Sequence, residues 1–240
     1  MKKNIVVFGG SGLIGKEICK SLKSSGNKLI NFDLKNNPSV KTFKIKNLSN
    51  TEILKTISTS KKVLGSIDCL IVCIYPKKYF PKSSNLLKNS TQNYIDDINE
   101  HFGSYLRINL EFIRYFEKKK SGNIINFSSI YSKFLPRFEI YKNTKMGVPL
   151  SYFLSKNSIV SFSKYLSKYF LKSKIRINTI SPGGIFDNQN EKFIENYLKF
   201  CGDKKMLSPE NITPVLHMLI SDKSMSITGQ DFIIDDGFTL

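Results

Sequence analysis

The sequence predicts an α/β fold: a single doubly wound parallel sheet with helices on both faces. Three observations carry that expectation. Short apolar runs alternate with longer segments whose apolar residues recur three and four apart, the rhythm of strands joined by crossover helices. The first such unit, "NIVVFGGSGLIGKEICKSLKSSG", passes from an apolar run through glycines into a helical pattern that Gly26 stops. No interdomain linker, internal repeat or low-complexity tract interrupts the alternation, so residues 1–240 read as one domain.

The remaining elements follow in order. "KLINFD" and "VKTFKI" read as the second and third strands, and "TEILKTISTSKKVL" as the helix that leads to the buried strand "DCLIVCI". Residues 75–90, "YPKKYFPKSSNLLKNS", hold two prolines and little periodicity, which predicts a long surface loop. Thr91 to Lys119 is helical by spacing, "GNIINFSS" is a buried strand, and residues 130–150 are irregular. Ser151 to Leu171 repeats apolar and aromatic residues at helical spacing. "KIRINTIS" is a strand, "PGGIFDNQN" a loop, 191–201 and 209–221 two shorter helices, and "QDFIIDDG" the last strand.

Composition excludes several classes of function. No run of about 18 apolar residues is present, and the N-terminus enters a strand-like segment at once, so neither a membrane span nor a signal peptide is expected and the location expected is cytoplasmic. Cys19, Cys69, Cys73 and Cys201 lack metal-ligand spacing apart from the Cys69/Cys73 pair, which lies in a strongly apolar run that reads as buried strand, so all four read as reduced, structural thiols with no metal site. The net charge of +18 comes from lysines spread over almost every segment, with only Arg107, Arg114, Arg137 and Arg176 as arginines. A surface that tracks phosphates concentrates charge and uses arginine forks, so neither nucleic acid nor membrane is expected as a partner.

Two patterns point to chemistry. Gly9, Gly12 and Gly15 are spaced by three, directly after a strand and at the start of a helix. Bare glycines let a phosphate approach the free N–H groups and positive dipole of a helix N-terminus. Asp33 ends the second strand, where a carboxylate can accept hydrogen bonds from both hydroxyls of an adenosine ribose and repel the extra phosphate of NADP. NAD is therefore expected over NADP, the plainer alternative being a tight turn and a capping aspartate.

The second pattern is a tyrosine followed four residues later by a lysine, which occurs twice, as Tyr141/Lys145 and Tyr152/Lys156. On a helix the two side chains share a face, where an ammonium favours the phenolate. Gly147 and Pro149 break any helix begun at Tyr141, whereas Tyr152 opens a long pattern free of both residues, so Tyr152 and Lys156 are the expected pair. Ser129, at the end of a buried strand, could hydrogen-bond a substrate oxygen, with Ser128 the neighbour that competes for the role.

With these residues in place the chain resembles the short-chain dehydrogenase/reductase family over essentially its whole length. "FGGSGLIG", "INFSS", "YFLSK", "RINTISPGGI" and "ITGQDFIIDDG" match the family's dinucleotide turn, serine strand, tyrosine and lysine, cofactor loop and C-terminal signature. The resemblance implies a Rossmann-type sheet, Tyr152 as general acid/base, and Lys156 lowering its pKa and holding the nicotinamide ribose. It also implies Ser129 orienting the carbonyl or alcohol, and Asn109 supporting the lysine through water. The cofactor contacts it implies are Gly9, Ser11, Gly12, Leu13, Ile14, Gly15, Asp33, Asn47, Leu48, Tyr152, Lys156, Pro182, Gly183 and Ile185.

Val72 and Cys73 stand where the family has a paired-asparagine turn, Phe8 where it has threonine, and Asn47 where an aspartate commonly meets the adenine. The long gap from Ser129 to Tyr152 makes 131–150 an inserted active-site loop.

"SSIYSKFLPRFEIYKNTKM", "SPGGIFDNQNEKFIENY", "IDDGFTL" and the pair Tyr75 and Pro76 resemble a narrower branch, flagellin modification protein A, linked to nonulosonic acids such as legionaminic acid. That implies an NAD-dependent oxidoreductase acting on a hydroxyl or keto group of a sugar or sugar nucleotide, in surface-glycan biosynthesis, assembled as a homo-dimer or homo-tetramer. A ketoacyl or small-alcohol reductase and a dinucleotide-binding protein without turnover are the alternatives. Polar residues such as Arg137, Glu139, Asn188 and Gln189 would suit a hydroxyl-rich ligand.

Overall fold

Among the described residues seven strands pair in parallel: β1 (Asn4–Phe8), β2 (Lys28–Asp33), β3 (Lys41–Lys44), β4 (Cys69–Val72), β5 (Gly122–Phe127), β6 (Ile175–Pro182) and β7 (Asp231–Ile234). Their order across the sheet is β3-β2-β1-β4-β5-β6-β7. The computed structural model describes residues 2–78, 81, 83, 85–203 and 205–240, so part of the expected 75–90 loop lies outside the described residues. Within the described residues six α-helices connect the strands: α1 (Leu13–Ser24), α2 (Asn50–Leu64), α3 (Thr91–Lys119), α4 (Leu150–Tyr169), α5 (Glu191–Leu198) and α6 (Thr213–Ile220).

The chain winds outward from β1 through β2 to β3, then returns to lay β4 on the other side of β1. At that reversal the connections leave the sheet in opposite directions, which opens a crevice at the carboxyl ends of the strands. The register aligns those ends, because Phe8 lies opposite both Phe32 and Val72, and Val72 opposite Asn126.

Period-two alternation divides the strand side chains between two cores. Val6 and Phe8 join Ile53, Phe112 and Ile159 on one face, where α2, α3 and α4 pack. Ile5 and Val7 join Ile18, Leu22 and Leu216 on the other, beneath α1 and α6. Both faces are covered, which is why strands such as "CLIV" read as continuous apolar runs. Phe8 anchors the first core through its stack on Phe32, 5.4 Å between centroids, and an edge contact with Phe112 at 5.8 Å.

Local departures from the sequence reading have local causes. The helix expected over 209–221 is a 3-10 turn, Pro209–Ile212, followed by α6. Pro214 lacks an N–H and sits in the first turn of α6, where none is needed, so the break falls before it. The irregular 130–150 segment contains 3-10 turns at Ile130–Ser132 and Phe138–Tyr141, and the 75–90 loop one at Leu86–Lys88. A third apolar cluster gathers Tyr131, Ile140, Phe193, Tyr197 and Phe238, so the inserted segment packs against α5 and the C-terminal residues.

Phe112 is fully buried between the sheet and Phe116. Phe112→Ala should lower unfolding stability by about 3–5 kcal/mol, read as a reduced urea midpoint with little change in slope.

Candidate active site

The glycine turn forms because α1 must approach the end of β1 more closely than any side chain permits. A Cβ on Gly15 would lie 2.1 Å from the Gly9 carbonyl oxygen, and one on Gly9, at φ +89°, would lie 2.7 Å from the Cys73 carbonyl oxygen. Gly12 differs, since its Cβ would meet only the Gly9 carbonyl oxygen at 3.5 Å. Gly12 is also the N-cap of α1 and supplies no side-chain cap, so the N–H groups of the first turn are left for a ligand.

Two buried asparagines hold the turn in place. Gly10 N–H donates to Asn31 Oδ1 at 2.8 Å, and Asn37 Nδ2 donates to the Gly10 carbonyl at 2.7 Å. Asn31 Nδ2 donates in turn to Ser11 Oγ, whose hydroxyl donates to the Lys35 carbonyl. Asp33 is drawn into the same frame, accepting from Ser11 N–H at 2.9 Å and from Lys35 N–H at 3.1 Å. Its carboxylate is thus fixed beside the turn with lone pairs to spare. Asn47 is exposed and accepts from Ser49 N–H just ahead of α2, while Leu48 is partly buried against the first core.

At the ends of β4 and β5 the structure separates the two serines. Ser128 Oγ donates to the Lys156 carbonyl at 2.8 Å, which commits it to the α4 backbone. Ser129 lies close enough to the Tyr152 hydroxyl to oppose the rise in its pKa, and its Oγ accepts from Tyr131 N–H at 3.3 Å. Lys156 Nζ donates to the Phe127 carbonyl at 3.3 Å and lies 5.5 Å from the Tyr152 ring centroid. The Tyr105 hydroxyl faces three carbonyls, Phe127 at 2.9 Å and Val72 and Ile74 at 3.2 Å, and so ties β4 to β5 where Val72 and Cys73 have no side-chain amide to offer.

Asn109 does not touch Lys156. It forms a reciprocal amide pair with Asn126, at 2.9 and 3.0 Å, and its Nδ2 also donates to the Tyr105 carbonyl. The other tyrosine, Tyr141, shares a 2.8 Å hydrogen bond with the Tyr131 hydroxyl and packs on Phe193. It sits in a 3-10 turn that ends at Tyr141 itself, so no helical face joins it to Lys145.

Electrostatics in the site run against the simplest reading of the pair. Burial pushes the Lys156 ammonium down to about 7, and burial also raises Tyr152, opposed by the Ser129 hydrogen bond. The site therefore holds Tyr152 protonated and Lys156 poised to lose its charge near neutral pH.

On the far side of the crevice Pro182 ends β6. Gly183 N–H donates to the Ile234 carbonyl and Gly184 N–H to the Tyr197 hydroxyl at 2.6 Å. Ile185 is buried and bridges to Leu207, while Leu13 is exposed and Ile14 partly buried at the start of α1. Arg137 is engaged locally: its guanidinium lies 4.4 Å from the Phe200 ring centroid and donates to the Phe238 carbonyl. Gln189 is likewise used locally, accepting from Asp187 N–H and donating to the Ile185 carbonyl.

The family model described as enoyl-(acyl carrier protein) reductase matches residues 12–239. The chain belongs to the short-chain dehydrogenase/reductase family. It is 34 % identical to the post-translational flagellin modification protein A of Campylobacter coli, over 99 % of this chain and 98 % of that one. A 3-oxoacyl-[acyl-carrier-protein] reductase of Chlamydia trachomatis is 32 % identical over 63 % of this chain and 59 % of its own. Among solved structures, a short-chain dehydrogenase of Leptospira borgpetersenii with bound NAD+ superposes with a TM-score of 0.90 at 27 % identity, covering 100 % of this chain and 94 % of that one.

This short-chain dehydrogenase/reductase is an NAD(P)-dependent oxidoreductase, and its glycine turn, clear helix end and fixed Asp33 fit a dinucleotide. No helix among the described residues is long and apolar enough to cross a membrane. All four cysteines are free thiols, and burial pushes Cys19 and Cys69 up to about 12. Sequence reasoning missed Asn31, Tyr105 and Asn126, although a polar residue inside an otherwise apolar strand, as in "KLINFD" and "GNIINF", was the available signal.

Because Lys156 is lowered from 10.5 to about 7 in the folded chain, the unfolded chain binds the extra proton between those values. Stability relative to a Lys156→Met variant should therefore rise with pH from about 7 towards 10.5, read as diverging urea midpoints. A constant difference across that range would show that burial does not depress the lysine.

Proposed function

We propose that residues 1–240 act as one NAD-dependent oxidoreductase domain that moves hydride between the cofactor and a hydroxyl or keto group of a sugar or sugar nucleotide. The observation that carries the reading is the cluster of Ser129, Tyr152 and Lys156, set at the carboxyl edge of the sheet beside the glycine turn. NAD, when bound, supplies or accepts the hydride.

The protein's own part is proton handling. In the reducing direction Ser129 donates a hydrogen bond to the substrate carbonyl, and the Tyr152 hydroxyl gives that oxygen its proton. In the oxidising direction the tyrosine takes the proton back, helped by Lys156 when that residue is charged. Burial keeps Tyr152 protonated in the resting site, so the site starts as an acid. Asp33 accepts from the ribose hydroxyls and disfavours a 2′-phosphate, which is the ground for NAD over NADP. Gly9, Ser11, Gly12, Leu13, Ile14 and Gly15 would hold the phosphates, Asn47 and Leu48 would meet the adenine, and Pro182, Gly183 and Ile185 would meet the nicotinamide. Asn109 ties the middle of α3 to β5 through Asn126, and its support of the lysine would run through water.

The sugar assignment rests on the flagellin modification relative, which matches this chain from end to end. The same reading places the enzyme in the cytoplasm as a homo-dimer or homo-tetramer. One observation favours the acyl alternative: an open hollow of about 430 Å³ beside the inserted segment has Phe138, Tyr141, Met146 and Val148 in its wall, along with Glu139 and Lys142.

The test is a panel of keto-sugars and sugar nucleotides assayed with NADH against the same panel of 3-ketoacyl thioesters. Tyr152→Phe should reduce turnover by roughly 10²–10⁴-fold while leaving NADH affinity within about twofold. Turnover that survives the substitution, or that is confined to the thioesters, would overturn the mechanism or the substrate class respectively.

A further inference from the structure

His101 lies on the face of α3 turned to the active site and has no part in the proton handling just described. Its ring is 1 % exposed and sits among three tyrosine rings, with centroids 5.4 Å from Tyr75, 6.1 Å from Tyr105 and 6.1 Å from Tyr152. Its Nε2 is buried and has no hydrogen-bond partner among the described residues. A buried polar nitrogen left unpaired costs about 1–3 kcal/mol, and folded chains keep few of them, so an unpaired one beside a reaction centre points to a ligand.

We infer that His101 is a specificity-determining residue whose Nε2 hydrogen-bonds a hydroxyl group carried on a carbon neighbouring the one that reacts at Tyr152. The inference rests on the proposed function. The His101 and Tyr152 ring centroids are 6.1 Å apart, so a group that reacts at Tyr152 has its neighbouring carbon on the histidine side within hydrogen-bonding reach of the imidazole. A hydroxyl both donates and accepts, so it satisfies the nitrogen in either tautomer.

Charge supports the same choice of ligand group. Burial first, and the nearby Lys156 second, hold the imidazole well below its ordinary pKa, so it meets the substrate neutral. Asp97, one turn earlier on α3, does not offset this, because its carboxylate is engaged by Ser151 Oγ at 2.6 Å and is itself raised by burial. A neutral imidazole gains little from a phosphate or carboxylate and is well matched to an alcohol. Tyr75 makes edge contacts with both His101 and Tyr152 and is 39 % exposed, so it is the ring that separates this corner from solvent.

The chain has two histidines, which makes the test direct. His217, bonded through Nε2 to Ser21 Oγ at 2.8 Å, serves as the internal reference. Histidine-¹⁵N-labelled protein is saturated with NAD+, so that no ketone is reduced, and titrated with dihydroxyacetone or with acetone, its counterpart without hydroxyls. Dihydroxyacetone should shift the His101 resonances, acetone should not, and His217 should stay in place. In turnover with NADH, His101→Phe should lose roughly ten- to hundred-fold of the preference for dihydroxyacetone over acetone, with His101→Gln restoring much of it.

Unmoved His101 resonances in protein that binds NAD+, or an unchanged preference in His101→Phe, would overturn the inference and leave the oxidoreductase reading intact. Protein that binds no NAD+ would remove both.

Discussion

The close approach of α1 to the end of β1 is the constraint on which the rest of the site depends. With Gly15 against the Gly9 carbonyl, the first turn of the helix stands where a side chain would otherwise hold it off, and its N–H groups face the crevice at the strand reversal. Glycine alone would leave that turn loose, because it removes steric limits without adding a bond. Asn31 and Asn37 supply the bonds from the neighbouring strand and loop, and Ser11 carries the same network to Asp33. The turn also reaches across to the reaction centre, since Cys73 N–H donates to the Phe8 carbonyl and the Gly9 Cα faces the Cys73 carbonyl.

From that edge the second half of the site follows by register. β4 and β5 end level with β1, so Tyr105 can bring the carbonyls of Val72, Ile74 and Phe127 to one hydroxyl, and Lys156 can reach the Phe127 carbonyl from α4. Enclosure decides the charge state. The same burial that raises Tyr152 lowers Lys156 to about 7, so enclosure works against charge on both groups. The ammonium's help to the tyrosine, expected from spacing alone, is therefore conditional on what the bound state adds, and the resting protein begins as a proton donor.

The sheet, its helices and the glycine turn were legible because each rests on a periodicity or on a residue with one conformational role. That Tyr152 and Lys156 share a helix while Tyr141 and Lys145 do not was legible for the same reason: Gly147 and Pro149 break the intervening chain, and α4 begins at Leu150. What stayed hidden were polar residues whose value is set by distant partners. Asn31 reads as a flaw in an apolar strand until Gly10 is seen against it, and His101 reads as one more position on a long helix until three tyrosines surround it. Arg137 misled in the opposite way, since a loop arginine suggests a ligand and this one packs on Phe200 and Phe238. Choosing between Ser128 and Ser129 needed the structure, because only the α4 backbone distinguishes them.

The most direct test of this account is a titration of the purified protein with NADH and with NADPH in separate experiments, following energy transfer from protein tyrosines to the nicotinamide. The account predicts saturable binding of NADH and clearly weaker binding of NADPH, as the braced glycine turn and the fixed Asp33 carboxylate require. Equal affinity for the two would contradict the role given to Asp33. Failure to bind either would contradict the site itself.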